Sequence, residues 1–261
     1  MNDSPAVLIL RTAGTNCEKE TAAALSAAGA APRVMHLHAF KKDPSLSRYQ
    51  MICFPGGFSY GDDLGAGKIF SLELMLWFRR ELERFIQNGR LVLGICNGFQ
   101  ILANTGILPD ADFRQKFTLA ENKSARFEDR WVHLTCPAEA AGREIWCRGM
   151  PRVIDLPVAH GEGRVYADGP VTERLRERGQ ILFHYCDRNG SSAAYPLNPN
   201  GSLAAVAGIT DPSGRILGLM PHPERGAFAH HYPGWQNEPK IPWGMQLFRN
   251  AVQYLQQVNC T

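Results

Sequence analysis

Three short stretches of this chain bring together residue types that do chemistry. The first is "GICNGFQ" (Gly94–Gln100), where Cys96 stands between Gly94 and Gly98 directly after the apolar run Leu91–Ile95. A buried strand that turns sharply into a helix holds its junction residue at the carboxyl edge of a sheet, where ligands bind in such folds. The two glycines remove the Cβ atoms that would block the turn. This is the nucleophile-elbow pattern with cysteine in place of serine. A thiol at a helix N-terminus is favoured as thiolate by the dipole and the free N–H groups. The N–H of Asn97 points at the same space and is a candidate oxyanion donor. Gln100, four residues on, shares a helix face with Cys96. The same pattern also fits a small buried cysteine packed between two glycines.

The second stretch is "GLMPHPERG" (Gly218–Gly226). Pro223 pushes His222 towards extended geometry, so His222 and Glu224 project to the same side. Glu224 then accepts from one imidazole nitrogen and leaves the other to take a proton from Cys96, the nucleophile–base–orienter arrangement of a triad. A loop histidine and glutamate fixed by prolines is the plainer reading, but it leaves the cysteine elbow unexplained. The third stretch, "CFPGGFSYGDDLGAGK" (Cys53–Lys68), is a strand ending in Pro-Gly-Gly. Adjacent glycines let the backbone approach a ligand and offer N–H groups to an anion. The spacing fits neither the phosphate-binding loop nor the dinucleotide fingerprint, so Gly57 or Phe58 is expected to supply the second oxyanion N–H.

These pieces need elements to position them. Val7–Leu10 reads as a strand, followed by a helix from about Cys17 to Ala28 that Gly29 stops. Arg33–Leu37 and Tyr49–Phe54 read as the next strands. A helix covers about Phe70 to Gln87, then come strand Leu91–Ile95 and a helix starting over Asn97–Ala103. This alternation predicts an α/β fold, a mostly parallel sheet flanked by helices. From Phe117 to about Tyr166 short β segments follow one another, the expected β-rich insertion. Gln180–Tyr185, Ala204–Ile209 and Arg215–Leu219 add strands, and Trp243–Val258 a final helix. No repeat or linker divides residues 1–261, so a single domain is expected.

Composition narrows the function classes. Hydrophobic residues make up 44% and charged residues 20%, values of an ordinary globular chain and not of a disordered one. The net charge of +3, without a basic run, argues against nucleic-acid binding. No apolar run reaches the length of a membrane span, and the acidic N-terminus does not read as a signal peptide. The seven cysteines are scattered without a CxxC pair, which points to a reducing, cytoplasmic setting with no disulfide framework and no zinc site. His230 and His231 are adjacent but lack a carboxylate or cysteine at ligand spacing, so they read as loop residues.

With these blocks in this order the chain resembles the class I (triad) glutamine amidotransferases, a flavodoxin-like fold. "GTNCEKE", "PGGFSYGDDLGAGK", "GICNGFQIL", "PVAHGEGR" and "MPHPER" narrow the likeness to the glutaminase subunits of phosphoribosylformylglycinamidine synthase, and "FSYGD" with "AHGEGR" is what selects them. The resemblance implies Cys96 as nucleophile, His222 as general base and acid, and Glu224 as the residue orienting His222. It implies that Gln100 and the backbone around His160 and Gly161 help hold the substrate glutamine. It further implies no cofactor in this chain. ATP and Mg would belong to a separate synthetase subunit, usually joined by a small bridging subunit, which receives the ammonia. Ala13 and Glu18 depart from the family pattern, where proline and aspartate are expected, and Ala229–Gly244 looks like extra loop. The competing readings are the glutaminase of another biosynthetic enzyme, a free-standing cysteine hydrolase, and a non-catalytic regulatory module.

Overall fold

The computed structural model describes residues 4–191 and 194–258; Cys260 lies outside them. In chain order the strands are β1 (Ala6–Arg11), β2 (Ala31–His36), β3 (Met51–Phe54), β4 (Leu91–Ile95), β5 (Thr118–Glu121), β6 (Glu128–Thr135), β7 (Val153–His160), β8 (Glu162–Tyr166), β9 (Ile181–Cys186), β10 (Val206–Thr210) and β11 (Ile216–Leu219). The helices are α1 (Glu18–Ala27), α2 (Leu37–Phe40), α3 (Lys68–Gln87), α4 (Asn97–Asn104), α5 (Arg143–Trp146), α6 (Gly169–Glu177) and α7 (Trp243–Val258). Nine strands form one sheet in the order β2-β1-β3-β4-β11-β10-β9-β6-β7. The first five pair in parallel and the remainder antiparallel.

The parallel half follows from its sequence. β3, β4 and β11 are buried at every position, as expected for strands covered on both faces. Helix α3 packs on α4, and α1 on α7. β4 lies between β3 and β11, so the chain segments that leave these three strands emerge side by side at one edge of the sheet.

The expected β-rich insertion divides in two. β6 and β7 extend the far edge of the main sheet, whereas β5 and β8 pair with each other in a separate two-stranded sheet. Helix α6 has no counterpart in the sequence reading. The Asp168 side chain accepts from the Val171 N–H (3.0 Å) and Pro170 stands in the first turn, an N-cap signal that was present in "DGPVTERLRE". The strand expected over Arg33–Leu37 ends at His36, because Leu37 opens the short helix α2. Among the described residues no helix is long and apolar enough to cross a membrane.

Helix α4 lies so close to the sheet that three positions admit no side chain. A Cβ on Gly98 would stand 1.9 Å from the Phe54 carbonyl oxygen, one on Gly94 2.6 Å from the Gly98 oxygen, and one on Gly218 2.1 Å from the Phe99 ring. The first two clashes are with backbone, which cannot rotate away. Gly98→Ala should therefore lower stability by about 3 kcal/mol, the upper end of ordinary overpacking costs. That corresponds to a fall in melting temperature of roughly 6–12 °C for a chain of this size. Thermal unfolding followed by circular dichroism checks this, and an unchanged melting temperature would contradict the close approach.

Candidate active site

Cys96 stands where β4 ends and α4 begins, with φ 50° and ψ −104°. Positive φ in a non-glycine residue costs about 1–3 kcal/mol and persists only where the surroundings impose it. Here the Cys96 N–H donates to the Leu219 carbonyl of the neighbouring strand (2.8 Å), while its own carbonyl accepts from Phe99 and Gln100 in the first turn of α4. The side chain is 6% exposed, and its thiol faces the Ala159 carbonyl at 3.7 Å.

The register of β4 against β11 brings the second piece alongside. Ile95 pairs with Leu219, so the chain leaving β11 passes the elbow and places His222 beyond it. The His222 N–H donates to Pro157 of β7 (2.8 Å), which fixes the turn. The ring Nδ1 meets Glu224 Oε1 at 2.6 Å, and both side chains are buried. Burial alone would keep the ring neutral. The Glu224 carboxylate and the Cys96 sulfur outweigh it and hold His222 well above the ordinary histidine range. Nε2 has no hydrogen-bond partner among the described residues.

The third piece closes over the elbow. After β3, Gly57 has φ +134° and bridges Thr15, so the segment "GTNC" packs against the Pro-Gly-Gly turn. A Cβ on Gly56 would stand 2.8 Å from His222 Cε1. Of the two donors expected here, the Phe58 N–H is already engaged with the Gly14 carbonyl (3.0 Å). The Gly57 N–H and the Asn97 N–H have no acceptor among the described residues, so these two of the expected donors are unengaged.

A cavity of about 300 Å³ opens beside Cys96, at the small end of the usual range of ligand sites (roughly 300–1,000 Å³). Gly57, Phe58, Gln100, His160 and Gly161, all singled out in the sequence, line it, whereas Asn97 is not among the lining residues. Gln100 is held from both ends, donating to the Glu162 carbonyl (2.5 Å) and accepting from Asn97 Nδ2 (3.0 Å). His160 is buried. Its Nδ1 meets Asn122 Oδ1 (3.1 Å), and burial, reinforced by His222, pushes its pKa down to about 3. Phe58 and Phe127, both about half exposed, stand with ring centroids 6.4 Å apart among the lining residues.

Several neighbours escaped the sequence reading. Asp62 and Glu162 line the cavity; both lie inside motifs quoted from the sequence, but neither acid was given a role there. Cys17 lies behind the triad. Its sulfur accepts from Arg225 Nη2 (3.2 Å), and Arg225 is anchored by Glu20 (2.7 Å). Burial holds the Cys17 thiol up at about 11. One ligand-type atom each of Cys17, His222 and Glu224 falls within 4.8 Å of the others, a grouping that resembles a metal site. The guanidinium on Cys17 opposes a divalent cation there, and Glu224 Oε1 is already engaged with His222 Nδ1. His230 and His231 sit on a separate turn, packed against Phe228.

In comparison with known proteins, residues 4–255 match the CobB/CobQ-like glutamine amidotransferase domain family. A relative from Dehalococcoides mccartyi, named phosphoribosylformylglycinamidine synthase subunit PurQ, is 43% identical over 96% of this chain and 98% of its own length. One of the same name from Methanococcus maripaludis strain C5 is 42% identical over 96% and 98%. Among solved structures, PurLQS from Thermotoga maritima contains a chain that superposes with a TM-score of 0.74 at 29% identity, covering 97% of this chain and 99% of that one. A putative GMP synthase subunit from Thermoplasma acidophilum, at 12% identity and a TM-score of 0.57, shares the fold alone.

Two outcomes follow for these side chains. His222→Ala, which removes the expected base, should cost on the order of 10²–10⁴-fold in glutamine hydrolysis. Glu224→Gln keeps an acceptor for Nδ1 and should cost less; an equal or larger loss would show Glu224 taking part in proton transfer. The buried His160 binds its proton more weakly folded than unfolded. Its contribution to stability is therefore complete above its ordinary pKa of 6.5 and is lost as pH falls towards about 3. Urea denaturation at pH 7 and pH 4.5 should show a smaller acid loss for His160→Gln than for the unsubstituted chain, and parallel losses would contradict the buried neutral ring.

Proposed function

We propose that this chain, which belongs to the CobB/CobQ-like glutamine amidotransferase domain family, is the glutaminase subunit of a phosphoribosylformylglycinamidine synthase. The observation that carries this reading is near-full-length identity above 40% to subunits of that name. The assembly of Cys96, His222 and Glu224 at one sheet edge supports it. The substrate is glutamine, the products are glutamate and ammonia, and the setting is the cytoplasm.

The chemistry runs through this chain's own groups. The Cys96 thiolate attacks the side-chain amide carbon of glutamine, and the carbonyl π electrons move onto oxygen. The Gly57 and Asn97 N–H groups receive that oxyanion; one such donor is worth about 10²–10³-fold in rate. Protonated His222 gives its Nε2 proton to the leaving nitrogen as the C–N bond breaks, which releases ammonia and leaves a γ-glutamyl thioester. His222 then takes a proton from water, the hydroxide adds to the thioester, and glutamate departs as the thiolate re-forms. Glu224 holds the imidazole and stabilises its charged form throughout.

The amidine-forming half is assigned to a synthetase partner, with ATP and Mg bound there and a small bridging subunit in the complex; the similar chain from Thermotoga maritima belongs to a structure named PurLQS. On this reading the partner also gates the site, by aligning the Gly57 loop. Glutamine hydrolysis by the isolated chain should be slow. It should rise at least about tenfold with synthetase, ATP and formylglycinamide ribotide present, within the usual span of coupling energies. In the complex, Cys96→Ala should abolish glutamine-dependent amidine formation and leave synthesis from ammonium salts nearly intact. Full turnover by the isolated chain, unmoved by the partner, would favour a free-standing hydrolase.

A further inference from the structure

The cavity beside Cys96 has a pronounced charge asymmetry. Two carboxylates line it, Asp62 and Glu162, and no lysine or arginine does. Among the described residues neither acid has an ion-pair partner. Asp62 Oδ1 accepts from the Gly67 N–H (3.2 Å) and from Asn97 Nδ2 (3.0 Å), and Glu162 Oε2 accepts from the Ala66 N–H (3.2 Å). These are neutral donors. Burial, with the charges of Glu162 and Asp63 nearby, holds the Asp62 carboxyl above its ordinary range in spite of those bonds.

The backbone goes to some trouble to aim Asp62 inward. Tyr60, Gly61 and Asp62 take φ values of 55°, 72° and 54°, a left-handed run of three in which only one residue is glycine. Such residues persist where the surroundings over-determine them, commonly at ligand clamps. Here the surroundings are the Tyr60 hydroxyl on Glu73 (2.5 Å), the Tyr60 N–H on Ala13 (2.8 Å) and the two bonds to Asp62.

The histidine that lines the same cavity is an acceptor as well. Asn122 Nδ2 donates to the Arg126 and His160 carbonyls, which turns its Oδ1 towards His160 Nδ1. Nδ1 must then carry the hydrogen, and Nε2 keeps a lone pair. That atom is buried and has no hydrogen-bond partner among the described residues. Two unpaired carboxylates and a buried bare acceptor call for a cationic, hydrogen-donating group on the ligand.

We propose that Asp62, with Glu162 as the second carboxylate, receives the α-ammonium of the substrate glutamine and thereby selects an α-amino amide over its desamino analogue. The inference rests on the glutaminase reading above. Asp62 also anchors Asn97 through its side-chain amide, so its charge and its hydrogen bonds must be separated experimentally. Asp62→Asn does this, because asparagine retains an acceptor for Gly67 and Asn97 but loses the charge.

The test uses the assembled complex and two substrates, L-glutamine and 4-carbamoylbutanoate, which is glutamine without its α-amino group. The wild-type complex should prefer glutamine in kcat/KM by at least about tenfold, the lower end of what an ammonium–carboxylate contact out of water contributes. Asp62→Asn should lower kcat/KM for glutamine by at least about tenfold, mainly through KM, and change the desamino amide less than about threefold. Alkylation of Cys96 by iodoacetamide, which has no ammonium group, should proceed equally in both proteins. Equal losses on the two substrates, or slowed alkylation, would mean that Asp62 only supports the elbow, and the assignment would fall. A wild-type complex that hydrolyses glutamine without preferring it overturns the assignment even if the variant cannot be assembled. A wild-type complex inactive on glutamine overturns the glutaminase reading with it.

Discussion

The parallel pairing of β4 with β11 is the interaction on which the rest depends. Its last hydrogen bond, from the Cys96 N–H to the Leu219 carbonyl, ties the elbow to the strand that delivers His222. Side chains alternate along a strand, so a slip of one residue would turn His222 and Cys96 away from each other. Helix α4 is pressed onto this pair of strands, and Gly94, Gly98 and Gly218 are the positions where a side chain would push it off. The glycines flanking the cysteine therefore serve packing and chemistry together. The close approach that needs them lies at the same elbow that holds Cys96 at positive φ.

The surroundings of the site sort its groups by charge. On the triad side, Glu224 stabilises the imidazolium in a place where burial alone would discharge it. Behind it, Glu20, Arg225 and Cys17 form a chain of contacts that reaches back to α1. Burial keeps Cys17 at about 11 and Cys53 well above the ordinary thiol value, so neither is prepared to act as a nucleophile although Cys17 lies against the same ring. The cavity shows the opposite bias: Asp62, Glu162 and His160, whose pKa burial lowers, line it, and no lysine or arginine does.

Much of this was legible in the residues. β4 was read over its full range, because a short apolar run ending at Gly-x-Cys-x-Gly admits little else, and α7 likewise, because its periodicity is uninterrupted. Helix α6 was missed although Asp168 and Pro170 announce it, since its mean character is polar and the apolar stripe is narrow. The insertion was recognised as β-rich, but its division between two sheets depends on partners chosen across the whole chain. Phe58 was left level with Gly57 as an oxyanion donor, and only the bond to Gly14 separates them.

The sequence by itself determined the chemistry available: a cysteine at an elbow, a histidine with a glutamate two residues on, and a glycine turn able to present an N–H. Those are local facts, set by residue type, spacing and the φ that proline and glycine permit. Tertiary structure alone decided that Gly57 keeps a free donor, that Cys17 backs the histidine, and that Asp62 and Glu162 share the cavity with Cys96. Each of these is a distance between segments that neighbour one another in space and not in the chain. Such distances are settled by strand order and register, which the hydrogen bonds and burial of the entire sheet select together.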